Sequence, residues 1–212
     1  WVDTDYYSPR QPDVALSEKF GFKGRFNILY AGTMGLAQGI ETVLAAAKLV
    51  GDIEQIQFVL AGGGLALADL KEYAAAHNIT NVKFLGRQPM ALMPDLYSLA
   101  DILLVHLKDD PLFRITIPHK TLTYLSAGKP VLAAVEGDVA AIVNENRAGL
   151  TCCSGNPVSL AENVRQLYGM SLNDRKRLGE NGRATALKRY AKDKLINDIS
   201  VMLQSVTGSI VH

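Results

Sequence analysis

No apolar run in this sequence approaches the ~20 residues that a membrane-spanning helix requires. No basic start followed by an apolar stretch opens it, so a secretory signal peptide is not expected. Thiols are scarce: Cys152 and Cys153 are the two cysteines. Sequence neighbours rarely bridge, and they do not provide the spacing of a metal site. Two reduced, partly buried thiols of a cytosolic protein are expected. An excess of one charge is also missing. With 22 Lys+Arg against 21 Asp+Glu, the net charge is +1. That excludes a broad nucleic-acid footprint, which needs a basic surplus. There is no G-x-G-x-x-G, no Gly-Lys-Ser/Thr, no serine elbow and no His-Glu-x-x-His. Dinucleotide, P-loop, serine-hydrolase and zinc-protease readings therefore lack their signatures.

What remains is ordinary globular composition, 48% hydrophobic and 20% charged over 212 residues. A chain of this size buries roughly 70% of its extended surface, enough for one ample core. Residues 1–25 are polar and aromatic, with Pro9, Pro12 and Gly21, and read as a linker or edge element. Strands are expected at Phe26–Ala31, Gln57–Ala61, Val82–Leu85, Asp101–Leu107, Val131–Val135 and Leu150–Cys152. Between them, helical spacing covers Ile40–Val50, Leu65–His77, Met90–Leu99 and Pro118–Ala127. Asp138 is placed to cap a further helix ending at Gly149, and Lys108–Ile117 reads as a polar loop. After the Asn156-Pro157 start, helix is expected to about Gln204, with breaks near Gly169 and Gly182. Near-continuous apolar strands alternating with helices imply a parallel sheet covered on both faces. The expected fold is α/β, a Rossmann-like doubly wound sheet of about six strands. Residues 26–190 would form the domain and 191–212 a C-terminal helix and tail.

In such a fold ligands bind beyond the carboxyl ends of the strands. After the first strand comes Gly32-Thr33-Met34-Gly35-Leu36-Ala37-Gln38-Gly39. Its glycines admit an anion to backbone N–H groups, although a tight turn would equally need them. Gly62-Gly63-Gly64 and Gly86-Arg87-Gln88 follow the next two strands. Around the helix at Pro118, Arg114, His119 and Lys120 gather, with Thr121 and Thr123 behind them. Cations at a helix N-terminus oppose its dipole unless an anion is shared. An anionic ligand and a solvated surface lysine are evenly balanced here on physical grounds. His77 reads as a surface cap, His106 as a satisfied semi-buried histidine, and His212 as uninformative. Asp109 and Asp110 read as solvated carboxylates.

The ordered set of segments resembles the C-terminal, donor-binding half of GT-B-fold retaining glycosyltransferases, the "glycosyl transferases group 1" family. Val2-Asp3-Thr4-Asp5 with Tyr7 and Pro9 is similar to the linker entering the second domain of that family. Tyr30-Ala31-Gly32 with Gln38-Gly39-Ile40-Glu41, Leu60–Gly64, Phe84-Leu85-Gly86 and Ala100-Asp101-Ile102 follow in family order. Leu125–Val131 and Arg177–Arg183 with Tyr190 complete the series. Thr116-Ile117-Pro118-His119-Lys120 is similar to a subset that includes bacterial surface-polysaccharide enzymes.

The resemblance implies that the Gly32 loop, with Thr33, Met34 and Gln38, lies over a donor diphosphate and the acceptor cleft. It places the backbone at Arg87 and Gln88 towards the nucleobase, with Gly62 and Gly63 on the strand-end face open to the ligand. The helix from Pro118, through His119, Thr121 and Thr123, would aim its N-terminus at the phosphates. Thr33 and Gln38 stand where many members carry Arg and Lys. Phosphate charge would therefore fall to Arg114 and Lys120, the residues expected to carry catalysis. The spaced glutamate pair of the family is replaced, the second by Thr123 and the first near Arg114 or Ile115.

The implied function is donor binding for sugar transfer from a nucleoside-diphosphate sugar, UDP expected, to an acceptor hydroxyl with retention, without a metal or other cofactor. The expected partners are the donor, an N-terminal acceptor domain, and an acceptor sugar or lipid-linked sugar; nucleic acid is not among them. The expected location is the cytoplasm, with a place at the inner membrane face for the whole enzyme. The chain reads as half of that enzyme, inactive alone. A nucleotide-sugar 2-epimerase and a degenerate, non-catalytic nucleotide-binding subunit are the rival readings.

Overall fold

The computed structural model describes residues 1–208. Six strands form one parallel sheet: β1 (Phe26–Ala31), β2 (Ile56–Ala61), β3 (Val82–Gly86), β4 (Ile102–His106), β5 (Val131–Ala134) and β6 (Gly149–Cys152). The spatial order is β3-β2-β1-β4-β5-β6, so the direction of winding reverses between β1 and β4. All six residues of β1 are buried, as a strand covered on both faces requires. Ile28 and Tyr30 enter one core with Phe58, Leu60 and Leu104, while Leu29 and Ala31 enter the other with Val59, Leu103 and Val131. Each fully buried aliphatic side chain contributes roughly 1.5–3 kcal/mol, so a register slip that exchanged the faces would be costly.

The connecting helices are α2 (Ile40–Leu49), α3 (Leu67–Ala76), α4 (Met93–Leu99), α6 (His119–Ser126) and α7 (Asp138–Glu145). After β6 follow α8 (Pro157–Gly169), α9 (Leu172–Thr185) and α10 (Lys192–Gly208). Asn156 caps α8, its side chain accepting from Val158 N and Ser159 N. No helix among the described residues is long and apolar enough to cross a membrane.

Several expectations are corrected. Residues 1–25 contain a helix, α1 (Val14–Phe20), capped by Asp13 and closed by Gly21 in the left-handed region at φ 69°. It buries no residue fully, and its inner face is Leu16 and Phe20, partly buried against the core, too short a period to reveal a helix in sequence. The residues around it are packed rather than loose. Val2 N donates to Tyr190 O (2.8 Å), and Arg183 Nη1 donates to Thr4 O (2.7 Å) and Tyr7 O (3.2 Å). The Lys108–Ile117 loop contains a one-turn helix, α5 (Pro111–Arg114), which Asp110 caps. Gly137, not Asp138, holds the cap position of α7, and Gly149 opens β6. Gly182 does not break α9. It and Gly179 are buried in it, and a Cβ on Gly179 would lie 2.1 Å from Gly128 O. These glycines allow close packing, which composition cannot distinguish from breaking. The last four residues of the expected tail, 209–212, lie outside the described residues, as does His212.

Candidate functional site

β1 and β4 pair only at Ile28–Ile102 and Leu29–Leu103, then part. A cavity of about 630 Å³ opens at the carboxyl ends of the strands beside this gap. That is the place where a doubly wound sheet leaves room for a ligand, and the volume suits a nucleotide-sized one.

One wall is the first turn of α6, with Pro118, His119, Lys120 and Thr123. Lys120 decides the electrostatics. Its ammonium lies 3.8 Å from the centroid of the Tyr30 ring, and a Cβ on Gly32 would meet Nζ at 2.6 Å. No carboxylate stands within ion-pair distance of it among the described residues. Burial pushes its pKa down to about 7. An ammonium held this way, beside the free N–H groups of a helix start, is stabilised by an incoming anion. His119 also lines the cavity, edge-on to Trp1 at 6.4 Å.

The floor is backbone. Gly32 N donates to Ala61 O (2.9 Å) and Met34 N to Gly63 O (2.9 Å). A Cβ on Gly62, at φ 148°, would lie 1.8 Å from Gly32 O. Gly62 is therefore demanded by close backbone approach, and Gly32, Thr33, Gly62 and Gly63 all line the cavity. The far end is formed by Arg87, whose stem lies over Gly63, and by Gln88, whose side chain donates to Leu85 O (2.7 Å).

An aromatic and thioether wall made of Tyr7, Met90, Met93 and Tyr97 closes the remaining side. The Tyr7 and Tyr97 rings stack at 6.0 Å. Burial pushes the Tyr97 hydroxyl up to about 12. Met90, Met93 and Tyr97 were not among the sequence candidates. Their positions read as an ordinary amphipathic helix, and only the fold turns that stretch towards the site.

Other expected residues stand elsewhere. Arg114 does not line the cavity. Its guanidinium pairs with Asp109 (2.9 Å) and Glu136 (2.9 Å), which raise its pKa. Those carboxylates answer its charge, so it does not join Lys120. Met34 is fully buried in the core. Gln38 folds back on its own loop, accepting from Gly35 N at 3.0 Å. Thr121 is buried, with its hydroxyl unpartnered. His106 is wholly buried rather than semi-buried, and only half satisfied. Nδ1 donates to Gln38 O (2.7 Å), while Nε2 has no partner and burial lowers the pKa. The ring is therefore neutral.

The family model for "Glycosyl transferases group 1" matches residues 15–185. The chain belongs to that family. Among its relatives, the probable glycosyltransferase WbjE of Pseudomonas aeruginosa is 28% identical over 173 residues, covering 81% of this chain and 42% of the relative. The alpha-D-kanosaminyltransferase of Streptomyces kanamyceticus is 24% identical, covering 83% and 45%. The chain thus spans about half the length of the curated relatives it matches. Among solved structures, Anabaena HepE in complex with UDP and glucose superposes with a TM-score of 0.82 at 19% identity, over 96% of this chain and 55% of that one. The C-terminal domain of LpcC, a glycosyl transferase group 1 protein of Francisella tularensis, gives 0.75 at 17% identity, over 91% and 100%. The expected fold is thereby established for this group 1 glycosyltransferase chain: a Rossmann-like unit of the GT-B kind.

Proposed function

We propose that this chain binds the diphosphate of a UDP-sugar in the gap between β1 and β4. In the whole protein it would present that donor for transfer to an acceptor hydroxyl with retention, in surface-polysaccharide or glycoconjugate synthesis. The observation that carries the reading is the Lys120 ammonium, held over Gly32 with no carboxylate of its own. The UDP in the HepE structures supports the choice of nucleotide, being bound by a protein of the same fold. As the sugar C1–O bond breaks, charge grows on the leaving diphosphate. Lys120, the first N–H groups of α6 and the Thr33 N–H of the Gly32 turn would stabilise it in place, which is electrostatic catalysis without a resident metal. The acceptor proton would pass to an oxygen of that diphosphate as the new C1–O bond forms. The base would rest between Gln88 and the Tyr97 wall.

An isomerase needs acids at the sugar, and its two loop candidates are occupied elsewhere: Asp109 pairs with Arg114 and Asp110 caps α5. A non-catalytic nucleotide-binding subunit is favoured by Thr123, whose hydroxyl turns back to Lys120 O (3.0 Å) and supplies no carboxylate. Calorimetric titration with UDP, GDP, ADP and their sugar conjugates tests the donor reading. Saturable binding of UDP, weakened about 10–100-fold in Lys120→Ala, is expected. Binding unchanged by Lys120→Ala would remove the phosphate site. Sugar transfer by the whole protein separates the enzyme from the subunit.

A further inference from the structure

Tyr124 is fully buried on α6, one turn after Lys120, and does not line the cavity. Its hydroxyl makes two bonds to one residue: it accepts from Ala31 N (2.9 Å) and donates to Ala31 O (3.2 Å). The sheet explains why. Gly32 turns its N–H to β2, so the N–H and C=O of Ala31 face the β4 side. There β4 has already departed, because the β1–β4 register ends at Leu29–Leu103. The phenol takes the place of a strand backbone, as one hydroxyl can both donate and accept. Residues four apart share a helix face. Lys120 and Tyr124 therefore grip the end of β1 together, the ammonium over Tyr30 and Gly32, the hydroxyl on Ala31 between them.

We infer that Tyr124 is a positioning residue of the donor site, fixing the distance between the Lys120 ammonium and the Gly32 backbone by clamping α6 to the end of β1. The inference rests on the donor reading given above. It is tested on the 212-residue chain with UDP as probe, by a double-mutant cycle of Tyr124→Phe and Lys120→Ala. Tyr124→Phe keeps the ring, which packs edge-on to Tyr97 at 5.2 Å, and removes only the clamp. It is expected to weaken UDP binding about tenfold, as loss of one well-placed bond does. In the Lys120→Ala background it should add less than about a twofold loss, because the two act through one contact. The pH at which affinity breaks should also move upward in Tyr124→Phe, as the freed ammonium regains water.

Wild-type-like UDP affinity in Tyr124→Phe overturns the inference while leaving the donor reading intact. So does a full loss repeated on top of Lys120→Ala. Absence of UDP binding by the wild-type chain overturns both. A wild-type measurement guards against a variant that fails to fold. The Ala31 amide should exchange with solvent as slowly as the paired amides of β1. Exchange at the rate of an open loop would show that the clamp does not hold.

Discussion

At the residue scale, Lys120 has the clearest pH signature. An unfolded lysine titrates at about 10.4, whereas burial holds this one at about 7. Between those values the unfolded chain binds the extra proton, so the contribution of this group makes stability rise with pH from about 7 upward. Nucleotide binding has the opposite sign, because the phosphate needs the ammonium. UDP affinity should fall as pH rises above 7, by at most about tenfold per pH unit, with proton uptake on binding. Titrations in buffers of different ionisation enthalpy would count that proton. In Lys120→Ala the slope should vanish over the same range, with an affinity about 10–100-fold lower, the worth of one charge-assisted bond. The groups around the lysine, Tyr30 with its hydroxyl held by Thr33 O (2.6 Å) and His106 kept neutral by burial, do not titrate in that window. Lys120 was legible in the sequence because a cation at a helix start conflicts with the dipole. Arg114 looked equivalent. Glu136, one of the two carboxylates that claim it, is 22 positions away in the chain, and only the β5 turn brings it near. Tyr124 was illegible as anything but a core aromatic, since its role depends on where β4 leaves β1.

At the element scale, two substitutions separate the site from the scaffold. Gly62→Ala would drive a Cβ into Gly32 O and force the ends of β1 and β2 apart. A loss of about 1–3 kcal/mol in urea unfolding is expected, as for overpacking elsewhere, together with loss of UDP binding. If binding survives at wild-type strength, the Gly32 turn is not part of the phosphate site. Asn156→Ala removes the cap of α8, distant in sequence from every cavity residue. It should cost about 1 kcal/mol in the same unfolding experiment and leave UDP affinity unchanged. The strands and most helices could be read from period and punctuation, because the strands are apolar runs and glycine closes the first three. α1 could not, because its inner face is a single pair, Leu16 and Phe20, only partly buried. α5 could not, because one turn has no period to detect. The glycines of α9 misled for a different reason. Glycine lowers helix propensity locally, but here it admits the α6–β5 turn, and tertiary packing overrides propensity.

At the scale of the whole molecule, strand order concentrates the chemistry. Winding reverses at one gap, so the loops after β1, β2 and β3 and the start of α6 converge on it. The sequence could supply that convergence only through the fold rule, which says where loops meet and not which side chains turn inward. The consequence for a diphosphate is that its charge must be answered by what converges: the Lys120 ammonium, the Arg87 guanidinium at the far end, the Thr33 amide of the Gly32 turn and the first turn of α6. The carboxylates nearest in sequence, Asp109 and Asp110, are turned away to Arg114 and to the α5 cap. A divalent cation bridging the phosphates would need such carboxylates, since magnesium is held by carboxylates together with phosphate oxygens. UDP affinity measured by calorimetry should therefore agree within about twofold in excess EDTA and in millimolar magnesium. A tenfold loss on chelation, about 1.4 kcal/mol, would mean that a metal rather than Lys120 meets the diphosphate. In that case Lys120→Ala would also be nearly silent, so the two measurements together identify which cation the site was built around.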